Sequence, residues 1–557
     1  MRKTVFAVVA LALAATACGP AAAPTATPVA QATATRPAAA PTTAPAAATA
    51  PAAPAATATP RPAVAPTATA GPTAPRGTIT LALRVASSTH DIHLGTRFGT
   101  PALSWDSLVH RDFDGSIAPG LATAWKFAPD NLSVEFELRK GVKFHNGDGF
   151  SAEDVTYSLE RMRRPNLRAS YKPNIARISK LEVLDQYKVR AVLSEPFPEI
   201  LGNLEPFFGV VPKKYTEQIG DTAFMDKPVG TGPFKFVNLV PGDRLTVESF
   251  TDHYRRVPQF KTLVVRGIPE AVTRVAALKT GEVDAIDIVP PYEVPSLKAN
   301  PNTDVVAEDV NETDFFLIST LDPSHPFAKR EVRLALNYAL NRDALVKDVF
   351  YGLARPATTL SAPYESGYDP NLKPYPYDPE KAKQLLAQAG YPNGVDAGKL
   401  NYDPAGINQA VELVEGVRAA WAAVGIRMTL NAIESARYST INQQRALSPI
   451  AVFPNRSIPY DGGADLHRWL HSKGLFSHSA NPEWDKIIDA AISIPETAAR
   501  DRALVEANRK MFEEAAIVPV YYPKYLFGIR KDRIAKWPWV KGWAVYPRNI
   551  EYVELKR

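Results

Sequence analysis

Residues 132–162, LSVEFELRKGVKFHNGDGFSAEDVTYSLERM, contain a strand pattern followed by a helix pattern. In 132–139 apolar and polar residues alternate, which predicts a strand with one buried face. Ser151 followed three residues later by Asp154 is similar to a capping box, so a helix is predicted from there to Met162. A strand followed closely by a helix is typical of mixed α/β architecture.

The same two patterns recur from Gly77 to the C-terminus. Alternation predicts further strands at 79–85, 245–248 and 263–266. Helical spacing of apolar residues, with caps such as Asp378 and stops such as Gly390, predicts helices at 331–341, 378–390, 412–424, 487–492 and 502–515. The predicted fold class is therefore α/β, and the sequence shows no internal repeat.

The N-terminus has the features of an exported lipoprotein. Arg2 and Lys3 precede a short apolar run and small residues, which is typical of a secretory signal, and the run is too short to span a bilayer. Cys18, the chain's only cysteine, ends the stretch A-T-A-C, which is similar to a bacterial lipobox. We expect 1–18 to be a signal peptide and Cys18 to be lipidated, holding the protein on the outer face of the bacterial cell membrane, in the periplasm or at the cell surface.

Residues 19–76 are almost entirely Ala, Pro and Thr, with 13 of the chain's 50 prolines. Such a segment has little to bury, so it is predicted to be a disordered, extended tether. Residues 1–76 also carry five basic and no acidic residues, so the formal charge of +6 falls to +1 beyond Arg76. That near-neutral body gives no support for nucleic-acid binding, and the single cysteine excludes a disulfide scaffold.

Catalytic and metal-binding motifs are scarce in the sequence. There is no G-x-S-x-G, H-E-x-x-H, phosphate loop or EF-hand loop. The stretch V-G-T-G-P at 229–233 lacks the third glycine of a phosphate loop and is interpreted as a structural turn. His467 and His471 share a helical face and His478 follows, but no acidic or sulfur ligand is paired with them, so neither a metal nor a cofactor is predicted.

An ordered series of motifs carries a resemblance to a known family. The series consists of D-G-S-I-A-P-G-L-A-T-A-W (114–125), L-R-K-G-V-K-F-H-N-G (138–147), S-A-E-D-V (151–155), P-V-G-T-G-P-F (228–234), L-K-T-G-E-V-D (278–284), V-R-L-A-L-N-Y-A-L-N-R (332–342) and Y-D-P-E-K-A-K-Q-L-L-A-Q-A-G-Y-P-N-G (377–394). In this order it resembles the family 5 extracellular solute-binding proteins of ABC importers, of the dipeptide, oligopeptide and nickel type.

The resemblance implies a two-lobe fold like that of class II periplasmic binding proteins, of the large type with an extra subdomain in lobe I. It places lobe I in 77–112, 228–320 and 522–557, the inserted subdomain in 113–227, and lobe II in 321–521. The implied function is capture of a peptide or peptide-like solute by hinge closure and delivery to a membrane permease, by a monomer without enzymatic activity.

The ligand site that the resemblance implies lies between the lobes. Its expected residues are Phe98, Trp105, Asn455, Arg456, Tyr460 and Asp461. Arg456 is expected to pair with an anionic ligand group, so that Arg456→Ala weakens binding at least tenfold without lowering the melting temperature. An ordinary salt bridge is the alternative role of Arg456.

Three other functions remain open at the level of sequence. The cleft of the same fold also suits a non-peptide solute, such as a metal chelate, an opine, or an anionic or sugar ligand. A second alternative is a sensor or chaperone that does not transport. A secreted hydrolase is the third, and it requires a nucleophile and base that converge in the cleft.

Overall fold

A computed structural model describes residues 74–85, 88–94, 100–169, 171–457, 459–494, 497–543 and 548–556. The signal peptide, Cys18, nearly all of the tether and Phe98 lie outside the described residues, so the expectations for them stay predictions.

The strands alternate with helices along the whole described chain. They are β1 (Thr78–Leu83), β2 (Val109–Arg111), β3 (Ile117–Pro119), β4 (Ala122–Phe127), β5 (Ser133–Leu138), β6 (Ile178–Asp185), β7 (Lys188–Leu193), β8 (Phe234–Val240), β9 (Arg244–Ser249), β10 (Thr262–Gly267), β11 (Ala285–Ile286), β12 (Thr303–Asp309), β13 (Glu312–Ile318), β14 (Ala354–Pro356), β15 (Val395–Tyr402), β16 (Ile426–Ala432), β17 (Ile450–Arg456), β18 (Ile517–Arg530), β19 (Ile534–Lys536) and β20 (Glu554–Leu555).

The α-helices fall mainly in the second half. They are α1 (Ala152–Arg163), α2 (Ile200–Phe207), α3 (Lys213–Asp226), α4 (Ala271–Thr280), α5 (Val294–Ala299), α6 (Arg330–Tyr338), α7 (Arg342–Asp348), α8 (Pro379–Gln388), α9 (Ala410–Ala423), α10 (Ser435–Gln443), α11 (Gly462–Leu470), α12 (Pro482–Ile492) and α13 (Thr497–Glu513).

Most sequence-predicted elements are confirmed. Strand β5 and helix α1 occupy the stretch 132–163, and the backbone N–H of Ser151 donates to Asp154 Oδ2 at 2.8 Å, as the capping pattern predicts. Helix α12 begins five residues before its predicted start. The reason is local: the Asn481 side chain caps the helix and Pro482 occupies its first position.

Two sheets share one long strand. Sheet I contains β8, β9, β10, β1, β11 and β12, and sheet II contains β16, β15, β17, β13 and β14. The first part of β18 pairs with β13, and its second part pairs with β12. Within the described residues the chain therefore passes between the sheets at two places, at 310–311 and near 522–523.

A separate four-stranded antiparallel sheet, in the order β4-β5-β7-β6, packs with α1 and α2 in the segment 113–227. Its core also contains Leu108, Val109 and Trp543, which lie outside this segment, in the parts of the chain that precede it and follow β18. The inserted segment is thus packed onto the sheet I side of the molecule, whereas the large cores around sheet II are built from residues 315–521.

The turn at 228–234 fixes this junction. A Cβ atom at Gly230 would lie 2.0 Å from the carbonyl oxygen of Ser104, and one at Gly232 would lie 2.5 Å from the carbonyl carbon of Ser104. These close approaches explain the glycines without a phosphate ligand, in agreement with the interpretation as a structural turn.

Candidate functional site

The candidate site begins at the end of β17, beside the crossing point of the two sheets. Arg456 is the cross-strand partner of Glu312, the first residue of β13. Its Nε and Nη2 donate to the two carboxylate oxygens of Glu312 at 2.8 and 3.0 Å. Although burial opposes the charged form, Glu312 and the nearby Asp314 raise the pKa of Arg456 above its usual value.

Asp314 follows Glu312 by two residues in β13, and its side chain is buried. Burial and the neighbouring Glu312 raise its pKa well above the usual range. Arg456 balances the charge of Glu312 in a bidentate pair of the kind that fixes both side chains.

A cavity of about 270 Å³ opens next to Arg456 on the sheet II side. Tyr438, Phe453 and Trp469 form an aromatic wall, and Asp403 and Arg468 join Arg456 as its charged groups. This volume is close to the lower end of the roughly 300–1,000 Å³ range of small-molecule pockets.

The loop at 403–407 that lines this cavity also contacts the sheet I side. Nη1 of Arg84, which follows β1, donates to the carbonyl oxygen of Ala405 at 3.4 Å. The residues that line the cavity all lie in 403–476, on the sheet II side, and this single bond joins the loop at its edge to the sheet I side.

Asn455, the expected ligand residue before Arg456, is fully buried. Nε1 of Trp469 donates to its Oδ1 at 2.8 Å, and its Nδ2 donates to Asp465 Oδ2 at 3.1 Å. These bonds join β17 to α11. Asn455 therefore positions Trp469, a member of the aromatic wall, from within the protein interior.

Tyr460 projects toward the sheet I side from the loop before α11. Its hydroxyl donates to the carbonyl oxygen of Lys541 at 2.5 Å, and the Arg111 guanidinium lies 3.8 Å from its ring centroid. The residue has a φ of 62°, a left-handed conformation that is unfavourable for tyrosine and is held by these contacts.

Asp461, next in the chain, is buried and caps α11 by accepting from the backbone N–H of Gly463 at 3.0 Å. Its two oxygens also accept from Arg500 at 3.0 and 3.1 Å. Arg500 pairs in addition with Glu199, which precedes α2 in the inserted segment.

Trp105 lies elsewhere. It is buried, its ring centroid is 5.1 Å from that of His90, and it lines a cavity of about 60 Å³ on the sheet I side together with Asp106 and Arg255. Of the expected ligand residues that the structure describes, Arg456 lines the cavity beside sheet II, whereas Asn455, Tyr460 and Asp461 are its neighbours in the chain and do not line it. Trp105 lines the other cavity.

Three residues of this region escaped the sequence analysis: Glu199, Glu312 and Arg500. Glu312 is separated from Arg456 by 144 residues and Arg500 from Glu199 by 301. No local sequence pattern distinguishes these three residues from other charged residues, because their partners lie far away in the chain.

Two of the three histidines lie together in the structure and the third lies apart. The expectation that no acidic residue accompanies them is wrong, because Nε2 of His471 lies 3.3 Å from Asp489 Oδ1. The rings of His467 and His471 stack with centroids 4.6 Å apart, while His478 is buried separately. In the described part of the chain, no group of three or more His, Cys, Asp and Glu residues is arranged to hold a metal ion. Searched over the same part, the helices include none with the length and apolarity that a membrane crossing requires.

Comparison with known proteins agrees with this architecture. The family described as "Bacterial extracellular solute-binding proteins, family 5 Middle" matches residues 116–476. The glutathione-binding protein GsiB of Pectobacterium atrosepticum is 31% identical over 74% of this chain and 81% of its own length. Heme-binding protein A of Haemophilus influenzae is 28% identical over 72% of this chain and 78% of its own length.

Among solved structures, the periplasmic binding protein DppA from Helicobacter pylori in complex with the peptide STSA is 26% identical. It superposes with a TM-score of 0.72, covering 86% of this chain and 98% of its own. The expected two-lobe α/β fold is thereby confirmed, and these relatives are binding proteins rather than enzymes. Since the family model spans well over half of its length, the chain belongs to family 5 of the bacterial extracellular solute-binding proteins, the extracytoplasmic binding components of ABC importers.

Proposed function

We propose that this protein captures a short peptide or peptide-like zwitterionic solute and delivers it to the permease of an ABC importer. The observation that carries the proposal is the cavity of about 270 Å³. Its lining includes one acidic residue, Asp403, two basic residues, Arg456 and Arg468, and the aromatic wall. A carboxylate suits an ammonium group, a guanidinium suits a carboxylate, and aromatic faces suit the intervening chain.

Hinge closure is the proposed mechanism. We place lobe I in 74–309 and 524–556, with the inserted subdomain, and lobe II in 312–521, so that the hinge lies at 310–311 and 522–523. The boundaries expected from the sequence are 320–321 and 521–522, so this proposal moves β13 into lobe II. A solute that contacts both lobes favours the closed form by its differential affinity. Shifting the population from 1:99 to 99:1 takes about 5.5 kcal/mol of that preference.

We further propose that acyl chains on Cys18 hold the protein at the membrane and that residues 19–76 act as the tether. The Ala-, Pro- and Thr-rich composition and the position of the single cysteine support this part of the proposal. Tethering keeps the lobes near the permease without fixing their orientation.

The first experiment identifies the natural solute. The full-length protein is purified without denaturation, the bound material is released with acid, and the extract is analysed by mass spectrometry. We expect short peptides in near-stoichiometric amount. A heme, an opine, a sugar or a metal chelate in their place would refute peptide specificity and identify the alternative solute.

A second experiment tests the cavity. By calorimetry, Asp403→Asn is expected to weaken binding of the identified peptide at least tenfold, because the ammonium loses its counter-charge. Asp396→Asn is the matched control, since Asp396 is an exposed aspartate on the neighbouring β15 and does not line the cavity. Equal affinities of the two variants would remove this cavity from the binding site.

A further inference from the structure

An ion-pair cluster outside the proposed solute cavity joins the two lobes. Arg500, in α13 of lobe II, forms a bidentate pair with Asp461 at 3.0 and 3.1 Å and a second pair with Glu199 of the inserted subdomain. The side chains of all three are nearly buried, with 7%, 5% and 13% of their surfaces exposed. We call Glu199, Arg500 and Asp461 the latch.

The latch connects two separately packed bodies. Helix α2, which follows Glu199, packs through Ile200 and Leu204 into the core that is continuous with the sheet I side. Helices α11 and α13 pack through Leu466 and Leu504 into a core of lobe II. Opening of the hinge would therefore separate Glu199 from the other two groups while leaving Arg500 and Asp461 together.

The backbone near the latch is closely fitted. A Cβ atom at Gly202, in α2, would lie 2.8 Å from the carbonyl oxygen of Pro459, just before the loop residue Tyr460. Tyr460 makes its contacts with Lys541 and Arg111 of lobe I alongside. Because only glycine allows this approach, the latch lies in a specific interface between lobes.

The protonation of the latch depends on this interface. Burial and the adjacent Asp461 raise the pKa of Glu199 to about 7, against the opposing effect of Arg500. Although burial opposes ionisation of Asp461, Arg500 and a hydrogen bond from Glu199 lower its pKa. Arg500 thus faces two carboxyl groups, of which Asp461 keeps the charge and Glu199 takes up the proton.

Apart from Arg111 of lobe I, which lies against Tyr460, the other charged groups named near the latch belong to lobe II. Glu365 faces Asp461, Asp465 and Arg468, and burial is the main reason that its pKa is raised. Asp465 pairs with Arg468 at 2.9 Å. Glu365 and Asp465 are buried within lobe II, so hinge opening does not expose them as it exposes Glu199.

We propose that the latch makes lobe closure proton-linked, so that the closed form, and with it solute retention, is favoured at acidic pH and disfavoured at alkaline pH. This inference rests on the hinge closure of the proposed function. Below neutral pH, protonated Glu199 donates to the Asp461 carboxylate, and Arg500 balances the remaining charge. At alkaline pH, two adjacent carboxylates repel each other and only one arginine faces both.

The sign and size follow from linkage. In the open form Glu199 is solvated and has its ordinary pKa near 4.5, whereas in the closed form its pKa is about 7. The stabilisation of the closed form is complete below about pH 4.5 and is lost as the pH rises through 7. These values give a closed-to-open ratio about tenfold higher at pH 6 than at pH 8.

The test measures closure without any solute. Fluorophores are attached to the full-length protein at Lys180→Cys in the subdomain and Lys486→Cys in lobe II, in a Cys18→Ser background, both positions being well exposed. Single-molecule energy transfer then gives the closed-to-open ratio from pH 5.5 to 8.5. We expect the ratio to fall about tenfold from pH 6 to pH 8.

Two variants complete the design. Glu199→Gln keeps the hydrogen bonds of the protonated acid, so its ratio is expected to be independent of pH and high at pH 8. Glu195 is a nearby exposed residue that pairs with Arg177, and the control variant Glu195→Gln is expected to behave like the native protein. A pH-independent native ratio, or an unchanged slope in Glu199→Gln, would overturn the latch. Failure to bind any peptide, with the pH response intact, would overturn the proposed function alone.

Discussion

Replacing Arg456 by alanine tests the role of this residue most directly. From the sequence alone, we expect Arg456→Ala to weaken solute binding without lowering the stability of the protein. The ion pair with Glu312 changes that expectation, because the pair is largely buried, with 26% of the Arg456 side chain and 8% of the Glu312 side chain exposed. Removing the arginine leaves a carboxylate without a counter-charge beside Asp314.

The magnitude follows from this geometry. Breaking a buried pair by removing one partner costs about 3–5 kcal/mol. Since a quarter of the arginine remains exposed, we expect the lower end, about 3 kcal/mol of unfolding free energy, from Arg456→Ala. The double variant Arg456→Ala with Glu312→Gln removes the unpaired charge, so most of this loss is expected to be recovered.

Urea unfolding followed by circular dichroism measures stability, and calorimetry with the solute identified by mass spectrometry measures affinity. If Arg456 contacts the solute, the double variant regains stability but still binds at least tenfold more weakly. If affinity returns together with stability, Arg456 acts only through the fold. A loss of less than about 1 kcal/mol in Arg456→Ala would refute the reasoning about the buried pair.

Three other predictions follow from separate parts of the molecule. Gly230→Ala is expected to destabilise the protein by more than about 2 kcal/mol in urea unfolding because its Cβ has no space, whereas Gly149→Ala, which meets nothing within 4 Å, is expected to be neutral; equal effects would contradict the packing argument. Cys18→Ser is expected to shift the protein from the membrane to the soluble fraction of cells, and unchanged membrane association would exclude the lipid anchor. Tyr460→Phe removes the hydrogen bond to Lys541, so we expect it to lower the closed-to-open ratio measured by energy transfer about fivefold. A ratio equal to that of the native protein would show that this bond does not favour closure.

Local features were readable from sequence because their causes are local. The alternation of 132–139 suffices for β5, and Ser151 with Asp154 suffices for the start of α1. Likewise Asp378 caps α8 by accepting from the backbone N–H of Lys381 at 2.8 Å, as the motif predicts. The order of such motifs along the chain was enough to indicate the family and the two-lobe fold.

Tertiary structure alone decided which charged groups meet. The pairing of β13 with β17 sets Glu312 opposite Arg456, and the packing of the inserted segment beside α13 sets Glu199 against Arg500, 301 residues later in the chain. It also placed Trp105 in a cavity apart from Arg456. Propensity, alternation and capping act over a few residues, whereas contacts between distant side chains depend on strand register and lobe packing, which no short stretch of sequence encodes.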